Sequence, residues 1–273
     1  EAALRPVLPP AAATSDASDT DAPSAGEDAD ARPSRDRIEG EYILSFFSRA
    51  ERDAFLRRAR QNGARILGTL TLGHSVRLRA DSRETLDRLL DGGPRPVSIS
   101  ANYRTRVPVP PPAGEAQAPD GPYKPFAGSA LRWLGVGGDN NDWGAGVKVA
   151  VLDTGIGDHP SLANARIEKL NASPDVAATA EGNDLAHGTA VAAIIAGRGE
   201  YFGGVAPASE LLGYRVIGGE GDGDLFTLAS AIVDAVDRGS RVINICVGSY
   251  GENPLLREAV NYAADRDVLI VAS

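Results

Sequence analysis

The sequence predicts an α/β protein, a doubly wound parallel sheet preceded by a small α+β domain of ferredoxin-like plan. Three observations lead there. From Val147 onward, short apolar, β-branched runs alternate with helical stripes, the pattern of parallel strands joined by crossover helices. Residues 38–107 read as strand, helix, strand, strand, helix, strand. Between the two lies a linker, 108–130, where Pro108, Pro110, Pro111, Pro112, Pro119, Pro122 and Pro125 forbid regular structure.

Taken in order, residues 1–37 are rich in Ala, Pro, Asp and Ser, with almost no aromatic or β-branched side chains. They cannot bury enough surface to offset their ordering entropy, so disorder is expected. Order begins near Ile38, where Tyr42, Leu44 and Phe46 alternate with Ile43, Ser45 and Phe47 as a strand. Ser48 with Glu51 has the spacing of a capping box and starts a helix that runs to Asn62–Gly63. Arg65–Thr71 and Ser75–Ala80 are strands around Leu72–Gly73–His74, with Val76 and Leu78 facing opposite to Arg77 and Arg79. Asp81 with Glu84 repeats the cap signal before Leu86, Leu89 and Leu90, and Gly92–Gly93 closes that helix. Val97–Arg106 is the last strand of the small domain.

The larger domain, 131–273, opens with Trp133 and Trp143 and enters a buried strand, Val147–Asp153. A helix of small apolar residues follows His187. Leu211–Val216 is a strand. Asp224 caps a helix with Leu225, Leu228, Ile232 and Val236 on one stripe, closed by Gly239. Val242–Val247 is a strand, Asn253 with Pro254 starts a helix, and Val268–Val271 is a further strand.

Composition excludes several classes of function. The 273 residues are 42% hydrophobic, enough for a real core, and carry a net charge of −9, which argues against nucleic acid or an anionic membrane as partner. Cys246 is the only cysteine, so no internal disulfide and no cysteine-based metal site can form. No run of about 18 apolar residues is present, so no transmembrane helix is expected. The chain begins at Glu1 without methionine, and a signal peptide already removed would leave no trace in it.

Two short blocks carry the chemistry. Asp153–Thr154–Gly155–Ile156 ends the buried strand and is followed by His159–Pro160, and 34 positions after Asp153 comes His187–Gly188–Thr189–Ala190–Val191–Ala192. A ligand in an open α/β sheet sits outside the carboxyl ends of the strands, which is where Asp153 stands. Alone, an aspartate at a strand end is an ordinary cap, and a histidine before a helix is ordinary too. Together, as DTGI, HP and HGTAVA, they resemble the subtilisin-like serine proteases, the subtilases. The resemblance implies a serine endopeptidase with an Asp-His-Ser triad. His187 would be the base that takes the serine proton, and Asp153 would hold its other ring N–H. A nucleotide-binding reading of the same strand and turn would need G-x-G-x-x-G, and Asp153 to Asp158 does not supply it.

The resemblance also implies two substrate-binding edges, Gly221–Asp222–Gly223 and Cys246–Val247–Gly248, with peptide backbone between them. Where relatives have Ser-Leu-Gly, this chain has Cys246, a thiol either bordering the primary pocket or simply packed. Many relatives have a histidine where Ala190 stands. The turn Arg198–Gly204 is short and lacks the Asn-rich insertion that holds calcium in some subtilases. No metal site is therefore assigned, the chemistry needs no cofactor, and a calcium site is not supported. His159 and His74 are read as non-catalytic.

Directly upstream of such a domain, residues 38–107 resemble the propeptide of secreted subtilases, and Ala101–Asn102–Tyr103–Arg104 resembles the segment near its end. The resemblance implies an inhibitor and intramolecular chaperone whose tail lies in the substrate cleft. It places maturation cleavage in 108–130 and the protein outside the cell or in its envelope. Val268–Ala272 matches the strand before the family's oxyanion asparagine and catalytic serine, both of which would lie beyond Ser273. Residues 131–273 are thus read as the N-terminal part of an incomplete catalytic domain. By themselves the 273 residues should be inactive, with the missing portion in the same polypeptide or on a separate chain. Protein or peptide substrates, and the chain's own propeptide, are the expected partners. The rival reading is a non-catalytic pseudoprotease that binds peptides and carries an inhibitor-like module.

Overall fold

The computed structural model describes residues 36–107, 131, 135–136, 139–172, 185–199, 203–218, 222–249 and 253–273. The 108–130 linker lies outside them. So does the 1–37 segment, apart from Asp36 and Arg37, which lead into the first strand.

The small domain contains β1 (Arg37–Ser45), α1 (Arg49–Gln61), β2 (Arg65–Leu70), β3 (Ser75–Arg79), α2 (Arg83–Leu90) and β4 (Ser98–Arg106). Its strands lie in the order β2-β3-β1-β4, and all neighbours are antiparallel. Ser48 caps α1 as the sequence predicts, its hydroxyl accepting the Glu51 N–H at 3.2 Å. The Glu51 carboxylate reaches back to the Phe47 N–H, one residue earlier than a regular capping box would place it. The second cap is corrected: Ser82, not Asp81, caps α2, its hydroxyl accepting the Thr85 N–H. One face of this sheet packs Tyr42, Leu44, Val76 and Leu78 against Phe55 and Leu56 of α1 and Leu86 of α2.

The larger domain contains β5 (Lys148–Asp153), β6 (Arg166–Asn171), α3 (Ala186–Ala196), β7 (Glu210–Arg215), β8 (Asp222–Asp224), α4 (Leu225–Asp237), β9 (Val242–Ile245), α5 (Pro254–Ala264) and β10 (Leu269–Ala272). Five of its strands form a parallel sheet in the order β10-β9-β5-β7-β6. Residue alternation on β5 and β7 sends Val149 and Leu211 to α3 on one face. Ala150, Leu152 and Leu212 go to α4 and α5 on the other. The sheet is therefore covered by helices on both faces. Burying each Leu or Ile in these layers stabilises the fold by about 1.5–3 kcal/mol.

One strand, β6, was not legible in the sequence. Its Arg-Ile-Glu-Lys-Leu-Asn lacks an apolar run because it is an edge strand, where charge blunts the open ladder. A second feature joins the two sheets within one compact unit, Pro33–Ser273. β8 adds to the antiparallel sheet as its fifth strand beside β4. Beneath it, Ile43, Leu70, Leu72 and Tyr103 of the small domain share a core with α4 and α5.

Candidate active site

β5 lies between β7 and β9 and delivers Asp153 to the carboxyl end of the sheet, fully buried. The Thr154 N–H donates to Asp153 Oδ1 at 2.6 Å. α3 begins immediately above, and His187 in its first turn brings Nδ1 to 2.8 and 2.9 Å from the two carboxylate oxygens. Its side chain remains 43% exposed. A buried carboxylate against one ring nitrogen fixes the tautomer and orientation of the imidazole.

Close approach of α3 to β5 depends on glycine. The Gly188 N–H donates to Thr154 Oγ1, and a Cβ on Gly188 would collide with the carbonyl oxygen of Gly155, which is itself at φ +95°. Gly188→Ala is therefore expected to push the start of α3 away and to destabilise the protein by about 1–3 kcal/mol, as overpacking does. Thermal melting would show the loss, and an unchanged Tm would contradict it.

The other histidines stand elsewhere. His159 caps the turn Pro160–Leu162 by accepting the Ser161 N–H, and His74 lies at positive φ in the turn between β2 and β3. Ala190 is on the exposed side of α3. Among the described residues, no three His, Cys, Asp or Glu side chains come together as metal ligands.

The two edges named from the sequence flank one strand. Arg104, Thr105 and Arg106 pair antiparallel with Asp224, Gly223 and Asp222. On its other side Arg106 donates its N–H to the Gly248 carbonyl at 3.0 Å and accepts the Gly248 N–H at 2.8 Å. The end of β4 thus lies between the Asp222 and Gly248 edges. Gly223 is needed there, because a Cβ would meet the Val216 carbonyl and Thr105 Oγ1. Gly221 lies outside the described residues. The Val247 side chain is buried in the core that includes α4.

Cys246 is half-buried, with Asn244 Nδ2 at 3.1 Å from its sulfur. Burial pushes its thiol pKa up, Asn244 pulls it down, and the Asp153 charge adds to the rise. A thiol so held is slow to react, so iodoacetamide at neutral pH should modify Cys246 several-fold more slowly than a free cysteine. Labelling as fast as free cysteine would refute this environment.

Sequence reasoning missed a buried charge cluster at the junction. Glu41 accepts from Arg77 Nε at 2.9 Å, from Arg79 Nη2 at 2.7 Å and from Asn102 Nδ2 at 2.9 Å. Asp224 accepts from Arg77 Nη1 and Asn102 Nδ2, both at 3.1 Å, while capping α4 through the Thr227 N–H. Asn102 Oδ1 also accepts the Phe226 N–H, and Asn253, the α5 cap, donates to the Ala101 carbonyl. The N-termini of both helices are therefore tied to β4. The only signal was the alternation that set Arg77 and Arg79 opposite Val76 and Leu78.

An α/β sheet with a carboxylate and an imidazole paired at the carboxyl end of a central strand is the framework of triad-type hydrolases. Comparison narrows this: residues 144–273 match the model of the Subtilase family. Subtilisin Savinase of Lederbergia lenta is 42% identical over 132 residues, covering 48% of each chain. An alkaline protease of Shouchella clausii is also 42% identical, over 48% of this chain and 34% of its own. The chain thus spans a third to a half of the curated relatives it matches. Among solved structures, fervidolysin from Fervidobacterium pennivorans, a keratinolytic enzyme related to subtilisin, shares the fold with a TM-score of 0.66 at 22% identity. That likeness covers 88% of this chain and 40% of fervidolysin, so the shared architecture extends beyond residues 144–273.

Proposed function

We propose that this chain carries the propeptide and, in residues 131–273, the N-terminal part of the catalytic domain of a secreted subtilisin-like serine endopeptidase made as a zymogen. Asp153 and His187 serve as acid partner and general base for a serine supplied by residues outside these 273, and the chemistry requires no cofactor. Residues 38–107 act as the ferredoxin-like propeptide, inhibitor and folding aid, and 108–130 is cleaved on maturation. The observation that carries this reading is the strand Arg104–Arg106, held between Asp222–Asp224 and Gly248 as a polypeptide substrate would be. The strand order β2-β3-β1-β4 supports the propeptide reading, being that of a ferredoxin-like sheet. No helix of the described residues is long and apolar enough to cross a membrane.

Fluorophosphonate labelling of the full-length protein after removal of residues 1–130, read by denaturing intact mass, tests the assignment. One label per active site is expected, on a serine beyond position 273. A label within the 273 residues would overturn the assignment of the nucleophile. No label on the freed catalytic domain would favour a peptide-binding pseudoprotease.

A further inference from the structure

We propose that Asp222 is a specificity-determining residue, making the groove select polypeptide strands with cationic side chains at alternate positions and a small residue between them. The proposal rests on reading the groove as a substrate site and names the substrates it prefers. Arg104 and Arg106 project from the same side of β4, as residues two apart in a strand must. Asp222 divides its carboxylate between them: Oδ2 accepts from Arg104 Nη1 and Oδ1 from Arg106 Nε, each at 2.9 Å.

Thr105 points the other way, fully buried, over Gly223, where there is no room for a Cβ. The intervening position therefore admits only a compact side chain. The neighbouring carboxylates do not compete for the role. Asp224 is committed to capping α4. Asp36 also accepts from Arg106, at 2.8 Å, but it lies in the small domain and would leave with it. Asp222 belongs to the subtilase segment and stays to meet the next strand.

The two ion pairs are partly exposed, with side-chain exposures of 42% and 52% for the arginines and 29% for Asp222. Each is accordingly worth a few-fold rather than orders of magnitude, and salt weakens it. The test uses the full-length matured protein and matched quenched peptides with Arg, Gln or Glu at the positions of Arg104 and Arg106. The kcat/KM ratio of Arg to Gln peptide should be about tenfold at low salt, as expected for two exposed pairs, and shrink in 0.5 M salt. It should be kept by Asp222→Glu, fall towards one in Asp222→Asn, and invert in favour of Glu peptide in Asp222→Arg. An Arg-to-Gln ratio near one in the wild type, or one unchanged in Asp222→Asn, would overturn the proposal. If no peptide is cleaved by any form, the protease reading itself has failed. Fluorescence anisotropy of the same peptides then decides the selection by the same ratios.

Discussion

His187→Ala or Asp153→Asn in the complete protein should stop processing of the chain between residues 107 and 131. An alanine removes the only imidazole bonded to Asp153. Asparagine at 153 preserves shape, but its amide would donate towards Nδ1 and leave the ring in the wrong tautomer. In the chymotrypsin case such a change costs about 10⁴-fold in kcat. Intact-mass measurement during expression reads the result directly: both variants should accumulate at the mass of the unprocessed protein. Maturation at the normal rate in either would remove Asp153 and His187 from the mechanism.

Arg77→Ala should loosen the small domain from the larger one more than any other single change at their junction. Arg77 separates the carboxylates of Glu41 and Asp224, and all three side chains are at least 89% buried. Deleting the cation removes the ion pair to buried Asp224 and leaves Glu41 paired with Arg79. Breaking a buried ion pair costs about 3–5 kcal/mol, so the affinity of a cleaved small domain for the rest of the chain should fall about a hundred-fold or more. Glu41→Gln with Arg77→Met, which removes two charges together, should recover part of the loss. An affinity unchanged in Arg77→Ala would show that the cluster contributes nothing to the junction.

The same cluster fixes a pH dependence. Burial raises the Glu41 carboxyl pKa, but the Asn102 hydrogen bond, the charge and hydrogen bond of Arg77 and the Arg79 hydrogen bond outweigh it and hold it below its ordinary 4.5. A depressed carboxyl stabilises the folded state above its unfolded pKa and loses that contribution as pH falls through the folded one. The stability of the small domain should therefore fall on acidification below about pH 4.5, and Glu41→Gln should flatten that limb of the profile. Calorimetric titration between pH 3 and 7 would measure both. An identical acid limb in wild type and variant would rule Glu41 out.

Much of this architecture was legible in the sequence because its signals are local. The Val147–Asp153 run can hardly be other than a buried strand, Asp224 and Asn253 announce their helices, and Asp153 and His187 stand in blocks that few other arrangements produce. What escaped depends on distant partners. β6 hides its strand character behind edge charges. Asp81 and Ser82 are both good caps, and the choice of Ser82 followed the path of the chain out of β3. The Glu41–Arg77–Asn102–Asp224 cluster brings together residues up to 147 positions apart in direct contact, and no spacing rule reaches that far.

Asp224 meets Arg77 across 147 positions and Asn102 across 122, whereas Glu41 meets Arg77 across 36. A chain synthesised from its N-terminus completes the short-range pairing first, before β8 and α4 exist. Under the propeptide reading, the four-stranded sheet would be an edge on which β8 registers, with its carboxamide and guanidinium set where the α4 cap forms. Long-range closure that would otherwise search many alignments would then become docking against a surface already in place.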